Sequence, residues 1–200
     1  ALFFEGEAHL DPRRALPGLV DMLKSRGVRF HFGEVSEASD LAADCTGFAR
    51  AAHDPDLRGV RGEMLILRTA EISLSRPVRL LHPRFPVYVV PRRDHCFMVG
   101  ATMIESSRAG PVSVRSMMEL MNAAYSLHPA FGEAEVVETG VGVRPAYPDN
   151  LPRVKVDGGV VSVNGLYRHG FLLAPAMARQ AADLLCEQIS GMELRNGTHG

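Results

Sequence analysis

The sequence predicts a mixed α/β and α+β protein, because its stretches carry two kinds of pattern. Residues 1–57 and 148–200 alternate helical and strand signals in the α/β manner. Residues 58–147 run strand after strand, separated by turn chemistry, with a single helix among them. That middle stretch reads as an antiparallel sheet domain inserted between two parts of another domain. The expected boundaries are therefore 1–57, 58–147 and 148–200.

Each element has a local reason. Asp11-Pro12 opens a helix, with Asp as N-cap and Pro in the first turn. Leu16, Leu19, Val20 and Leu23 recur at helical spacing, and Gly27 closes the helix. Val28-Arg29-Phe30-His31-Phe32 alternates apolar and basic and predicts a strand. Leu41 to Gly47 predicts a second short strand ending in glycine. In the middle, Met64-Leu65-Ile66-Leu67, Val87-Tyr88-Val89-Val90 and Phe97-Met98-Val99-Gly100 predict strands. Arg92-Arg93-Asp94-His95 has the length of a hairpin connection. Ser113 caps a helix presenting Met117, Leu120, Met121 and Ala124, which stops before Pro129. Residues 135–143 alternate as a strand. In the tail, Val160-Val161-Ser162-Val163 predicts a strand. Pro175 then starts a helix with Ala178, Ala181, Ala182, Leu185 and Ile189 inward.

Composition removes several function classes. The chain is 46% hydrophobic and 22% charged, with net charge −1, so nothing argues for a nucleic-acid or anionic-membrane surface. No apolar run is long enough to span a bilayer. Cys45, Cys96 and Cys186 lack metal-ligand or CxxC spacing and read as small buried thiols in a reducing, cytoplasmic compartment. The eight histidines form no HxxxH or HExxH pattern, so no metal site is expected. No GxSxG or carboxylate pair suggests a protein acid or base. The chain begins Ala1-Leu2-Phe3-Phe4, without initiator Met or polar lead-in, and is expected to be a piece of a longer protein.

Two arginine-bearing segments stand out. In Gly142-Val143-Arg144-Pro145, the proline biases Arg144 to extended backbone at a strand end. A guanidinium there can clamp a carboxylate bidentately, although a surface arginine is the plainer reading of the dipeptide by itself. In Gly165-Leu166-Tyr167-Arg168-His169-Gly170-Phe171-Leu172-Leu173-Ala174-Pro175, a glycine-bounded turn feeds a helix. The N–H groups at such a helix start favour a negatively charged or polar ligand edge. Tyr88, in an otherwise aliphatic strand, has a hydroxyl that seeks a partner. The glycines never fall as GxGxxG: Gly140-Val141-Gly142 meets Pro145 where the third glycine belongs.

Five segments together resemble the flavin-dependent amino-acid oxidases of the D-amino-acid oxidase superfamily, and most of all the glycine oxidases of thiamine biosynthesis. They are Gly6 to Arg14; Asp44-Cys45-Thr46-Gly47; Val60 to Leu65; the pair Tyr88-Val89-Val90-Pro91-Arg92 and Val99-Gly100-Ala101-Thr102-Met103; and the pair Gly142-Val143-Arg144-Pro145 and Tyr167 to Pro175. The resemblance covers residues 1–190 in the family's order. It implies an antiparallel substrate domain at 58–147. It also implies the C-terminal part of a Rossmann-like FAD-binding domain at 1–57 and 148–200.

The resemblance also implies roles. Arg144 matches the arginine on the substrate carboxylate, and Tyr88 a tyrosine on the same group. Arg168 matches a second arginine over substrate and flavin. Leu166, Tyr167, Arg168, His169, Gly170, Phe171 and Leu172 match the loop against the isoalloxazine ring, and Val35 a residue near the adenine. Leu166 and His169 depart from the residues usual in the family. The implied cofactor is FAD. The implied reaction is oxidative deamination of glycine or another small amino acid, giving imine, oxo acid, ammonia and hydrogen peroxide. Orientation of the substrate, rather than a protein acid or base, is then the chain's task. The alternatives are a D-amino-acid or sarcosine oxidase or dehydrogenase of the same superfamily, and a non-catalytic assembly module whose exposed apolar residues associate copies. Without a GxGxxG segment, this piece alone is expected to hold FAD weakly.

Overall fold

A computed structural model describes residues 2–36, 42–83 and 86–196, with side chains through residue 190. Its elements in order are α1 (Pro12–Ser25), β1 (Ala43–Asp44), β2 (Arg58–Arg68), β3 (Val78–Leu80), β4 (Val87–Pro91), β5 (Cys96–Gly100), β6 (Ile104–Glu105), α2 (Val114–Leu127), β7 (Glu135–Ala146), β8 (Arg153–Asp157), β9 (Val160–Asn164) and α3 (Gly170–Asn196). Short 3-10 helices occupy Gly47–Ala52 and Pro129–Glu133. The mixed fold class expected from the sequence is the one observed. No described helix is long and apolar enough to cross a membrane.

The chain forms two compact units. The first comprises residues 1–34, 62–102 and 110–141, the second residues 35–61, 103–109 and 142–200. These limits differ from the expected 1–57, 58–147 and 148–200. Residues 1–34 join the antiparallel sheet because their contacts lie there. Arg13 donates to both oxygens of Glu138, at 2.8 Å for the longer bond, and Arg76 covers the Phe3 ring. Residues 142–147 join the second unit because Tyr147 is bonded there.

The first unit is built on strand alternation. The larger sheet has the order β3-β4-β5-β2-β6, and β7 also pairs with β2. One face buries Leu65, Leu67, Val87, Val89, Phe97 and Val99 against Leu120, Ala123 and Ala124 of α2 and against Phe131. Phe97 and Phe131 meet edge to face at 5.4 Å. The expected N-cap of α2 is present: Ser113 Oγ accepts the Ser116 N–H at 3.2 Å. The β4–β5 connection turns at Asp94 and His95, both at positive φ, as a tight right-twisted hairpin requires.

Several expected elements differ. Residues 28–32 form turn and loop rather than a strand; no described strand pairs with them, and Phe30 stacks on Phe32. Helix α1 has the expected Asp11 cap, but Leu16 and Leu19 stay about half exposed. The predicted 41–47 strand is reduced to Ala43–Asp44, and Leu41 lies outside the described residues. Helix α3 starts at Gly170 and carries Pro175 within it. Its buried line is Ala181, flanked by half-buried Met177, Leu184 and Leu185, while Ala178, Ala182 and Ile189 are exposed. Cys45 and Cys186 are exposed and Cys96 half-buried, so none is the buried hydrophobe expected.

Candidate functional site

In the second unit, the Arg168 turn follows β9 of a small three-stranded sheet ordered β1-β9-β8, while Arg144 lies in β7. β1 runs parallel to β9, and β8 returns antiparallel to it. Arg144 is half-buried in β7, two positions before its last residue, in the extended conformation that Pro145 imposes. Pro145 has no N–H, but its carbonyl accepts the Tyr167 N–H at 3.2 Å. That bond fastens the Arg168 turn to the Arg144 strand end.

The turn itself is tightly specified. Asn164 is buried; its amide donates to the Gly47 carbonyl at 2.8 Å, and its side-chain oxygen accepts the Gly165 N–H at 2.9 Å. Gly165 has φ +76, and a Cβ there would lie 2.3 Å from the Tyr147 ring. Only glycine fits on both counts. Tyr167 also takes positive φ, a strained choice for a bulky residue, and its N–H points to Pro145. The His169 N–H closes the turn on the Leu166 carbonyl, and the His169 carbonyl receives the first helical bond of α3, from Leu173. The N–H groups of Gly170, Phe171 and Leu172 therefore precede the first in-helix donor of α3, the Leu173 N–H. Arg168 is half-buried, whereas Phe171 and Leu172 are 52% and 77% exposed.

Met103 is a residue the sequence reading missed. Its thioether accepts from Arg168 Nη1 at 3.0 Å and from the Tyr167 hydroxyl at 3.5 Å. Nothing in sequence spacing connects residues 103 and 168; only the fold does. Val35, assigned to the adenine by resemblance, is 95% exposed in this unit.

Beneath the turn lies a polar network. Tyr147 is 1% exposed, and its hydroxyl donates to Asp54 at 2.9 Å. Lys155 reaches the same Asp54 oxygen at 3.0 Å. The Arg153 guanidinium and the Lys155 ammonium lie 4.2 and 4.7 Å from the Tyr147 ring centroid. Burial and the neighbouring Asp54 carboxylate push the Tyr147 hydroxyl up to about 12. Burial alone would raise Asp54, but hydrogen bonds from Lys155 and Tyr147 overcome it and hold the carboxyl below its ordinary value. Asp44 behaves alike: burial opposes ionisation, while bonds from Thr46 and Arg50 prevail.

Tyr88 belongs to the first unit. It lies on the sheet face opposite the α2 core, in register with Gly100, which pairs in turn with Met64. Gly140 adjoins Met64 so closely that a Cβ would meet its methyl group at 2.5 Å. The row across the strands is thus Arg79, Tyr88, Gly100 and Met64, with Gly100 placing no side chain between Tyr88 and Met64. Glu63, also unforeseen, is fully buried; it accepts the Ser113 N–H at 3.2 Å, and its backbone N–H donates to Thr102 Oγ1 at 2.9 Å. These bonds fix the segment that follows β5. Gly140 and Gly142 lie inside β7, so Gly140-Val141-Gly142 is strand rather than a phosphate loop. Among the described residues, no group of three or more His, Cys, Asp or Glu could hold a metal.

A strand-end guanidinium and the N–H groups of a helix start are donors of the kind that an anion or a polar ring edge accepts. The profile of the family described as DAO, FAD dependent oxidoreductase, matches residues 1–184, and the chain belongs to that family. A Rhizobium etli protein named as a candidate thiamine biosynthesis oxidoreductase, ThiO, is 63% identical over 192 residues, covering 94% of this chain and 59% of the relative. A Pseudomonas aeruginosa glycine oxidase is 32% identical over 132 residues, 63% of this chain and 34% of its own. Among solved structures, glycine oxidase from Geobacillus kaustophilus aligns with a TM-score of 0.62 at 27% identity, covering 70% of this chain and 40% of that one. The chain thus spans 59% of the Rhizobium relative and a smaller share of the other two.

Proposed function

We propose that this chain supplies the substrate clamp and the flavin-facing loop of an FAD-dependent oxidase acting on glycine or another small amino acid, in thiamine biosynthesis. The observation carrying this reading is the Tyr167 N–H bond to the Pro145 carbonyl, which joins the Arg144 strand end to the Arg168 turn in one unit. The names of its relatives, ThiO and glycine oxidase, support the same substrate class.

The donor set fits the pyrimidine edge of a flavin, which presents acceptors. Gly170, Phe171 and Leu172 offer N–H groups at the start of α3, and a Cβ at Gly170 would meet nothing within 4 Å. FAD, when bound, supplies the two-electron acceptor, which oxygen reoxidises to give hydrogen peroxide. Arg144 takes the substrate carboxylate as a charge-assisted pair, and Arg168 adds a second cation. Tyr88 keeps the carboxylate-binding role that the resemblance gives it. Anchored by its carboxylate, the amino acid has its Cα–H and neutral amine oriented for oxidation. The imine produced is hydrolysed by water to oxo acid and ammonia, and no protein acid or base is assigned. Val35 keeps the adenine-side role that the resemblance gives it.

The test is peroxide release by the protein as its gene encodes it, offered glycine, sarcosine and D-alanine. Glycine is expected to give the highest kcat/KM. Preference for sarcosine or D-alanine would replace glycine as the substrate, and no peroxide with any of them would overturn the oxidase reading.

A further inference from the structure

We propose that Tyr147 is a positioning residue that sets the Arg168 turn against the Arg144 strand end; its link to substrate binding rests on the reading of those two arginines above. Nothing in the sequence marks Tyr147 as more than a core aromatic. The structure gives its ring an unusual seat. One edge lies flush against Gly165, where even a methyl group would stand 2.3 Å from the ring. A cation lies near the ring from each of two β8 residues, Arg153 and Lys155. Its hydroxyl is fixed by Asp54, which Lys155 also holds. A ring so confined cannot rotate or slide without moving the Gly165 backbone.

The consequence runs in both directions along the chain. Tyr147 follows Arg144 by three residues, with half-buried Pro145 and buried Ala146 between them. Gly165 precedes Arg168 by three residues, with Tyr167 locked at positive φ between them. The two segments are thus joined at two points, Tyr147 to Gly165 through the ring and Pro145 to Tyr167 through a hydrogen bond. Two attachment points fix translation and rotation of one segment against the other, where one would leave a pivot. The spacing of the two arginines then depends on the size and placement of the Tyr147 ring.

Hydrogen exchange and steady-state kinetics on the protein as its gene encodes it test this together. Tyr147→Leu removes the ring and is expected to speed exchange of the Tyr167 N–H about tenfold or more, with amides in β4 and β5 unchanged. It is expected to raise KM for the amino acid about tenfold, with a smaller change in kcat. Tyr147→Phe keeps the ring on Gly165 but loses the Asp54 bond, and is expected to recover most of the loss, with KM about threefold above wild type. In an Arg168→Ala background, Tyr147→Leu is expected to add little, because the residue it positions is gone. Should Tyr147→Leu fail to fold, Asp54→Asn loosens the ring at constant volume and is expected to shift Tyr167 exchange and KM in the same direction. Unchanged Tyr167 exchange in a folded variant overturns the proposal, as does a KM effect of equal size in both backgrounds. If Arg168→Ala leaves KM at wild type while Tyr147→Leu still frees the Tyr167 N–H, the positioning stands and the role given to Arg168 falls.

Discussion

The two units are held together by different physics. The first owes its shape to apolar alternation: Val87 and Val89 point into the core, Tyr88 points away, and α2 covers the result. The second places its arginine segments on buried charge and hydrogen bonds. Asp54 gathers Tyr147 and Lys155, Asp44 gathers Thr46 and Arg50, and Asn164 ties the turn to Gly47. A core of interchangeable aliphatics tolerates repacking, but a polar network fixes particular atoms in place. The difference teaches that the two arginine segments sit where geometry is set by specific bonds rather than by bulk burial.

The comparison can be broken first in the core. Leu65 is fully buried, so Leu65→Ala should cost about 2–5 kcal/mol in a urea titration. Its effect should be confined to stability, with KM in the surviving folded enzyme near wild type. Next, Asp54→Asn should cost about 1.5–3 kcal/mol, the range for hydrogen bonds to a charged group. Unlike the core variant, it should also loosen the Arg168 turn. A core variant that shifts KM as strongly as Asp54→Asn would erase the distinction.

Acid separates the units more gently. The Asp44 and Asp54 carboxyls are held below their ordinary 3.8 in the folded chain. Their contribution is complete above the unfolded value and is lost as pH falls through the folded one. Amides of the 165–169 turn should therefore lose protection below about pH 3.8 before those of β4 and β5 do. Simultaneous loss would mean that the acidic residues do not govern the second unit. The smallest effect belongs to the surface. The Arg13–Glu138 pair has side chains 63% and 39% exposed, so Arg13→Ala should cost under about 1 kcal/mol, read from the same urea titration.

The same contrast explains what the sequence could reveal. Short apolar, β-branched runs between turns located β4 and β5, and Ser113 and Asp11 located two helix starts, because these signals are local. Residues 28–32 alternate apolar and basic but have no described strand beside them, so alternation misled. Pro175 suggested a helix start, yet α3 begins at Gly170, with the His169 carbonyl taking the first bond. Arg144 and Arg168 could be singled out from proline and glycine punctuation. Met103, Glu63 and Tyr147 could not, because their partners lie 39 to 93 residues away and no pattern announces the pairing.

The most direct test of the clamp is Arg144→Ala, measured as KM for glycine and as affinity for a small carboxylate that is not oxidised. Loss of a charge-assisted anchor of this kind costs about 2–5 kcal/mol, so both constants should weaken by roughly 30-fold or more. Wild-type KM and wild-type carboxylate affinity in a folded Arg144→Ala protein would contradict the assignment.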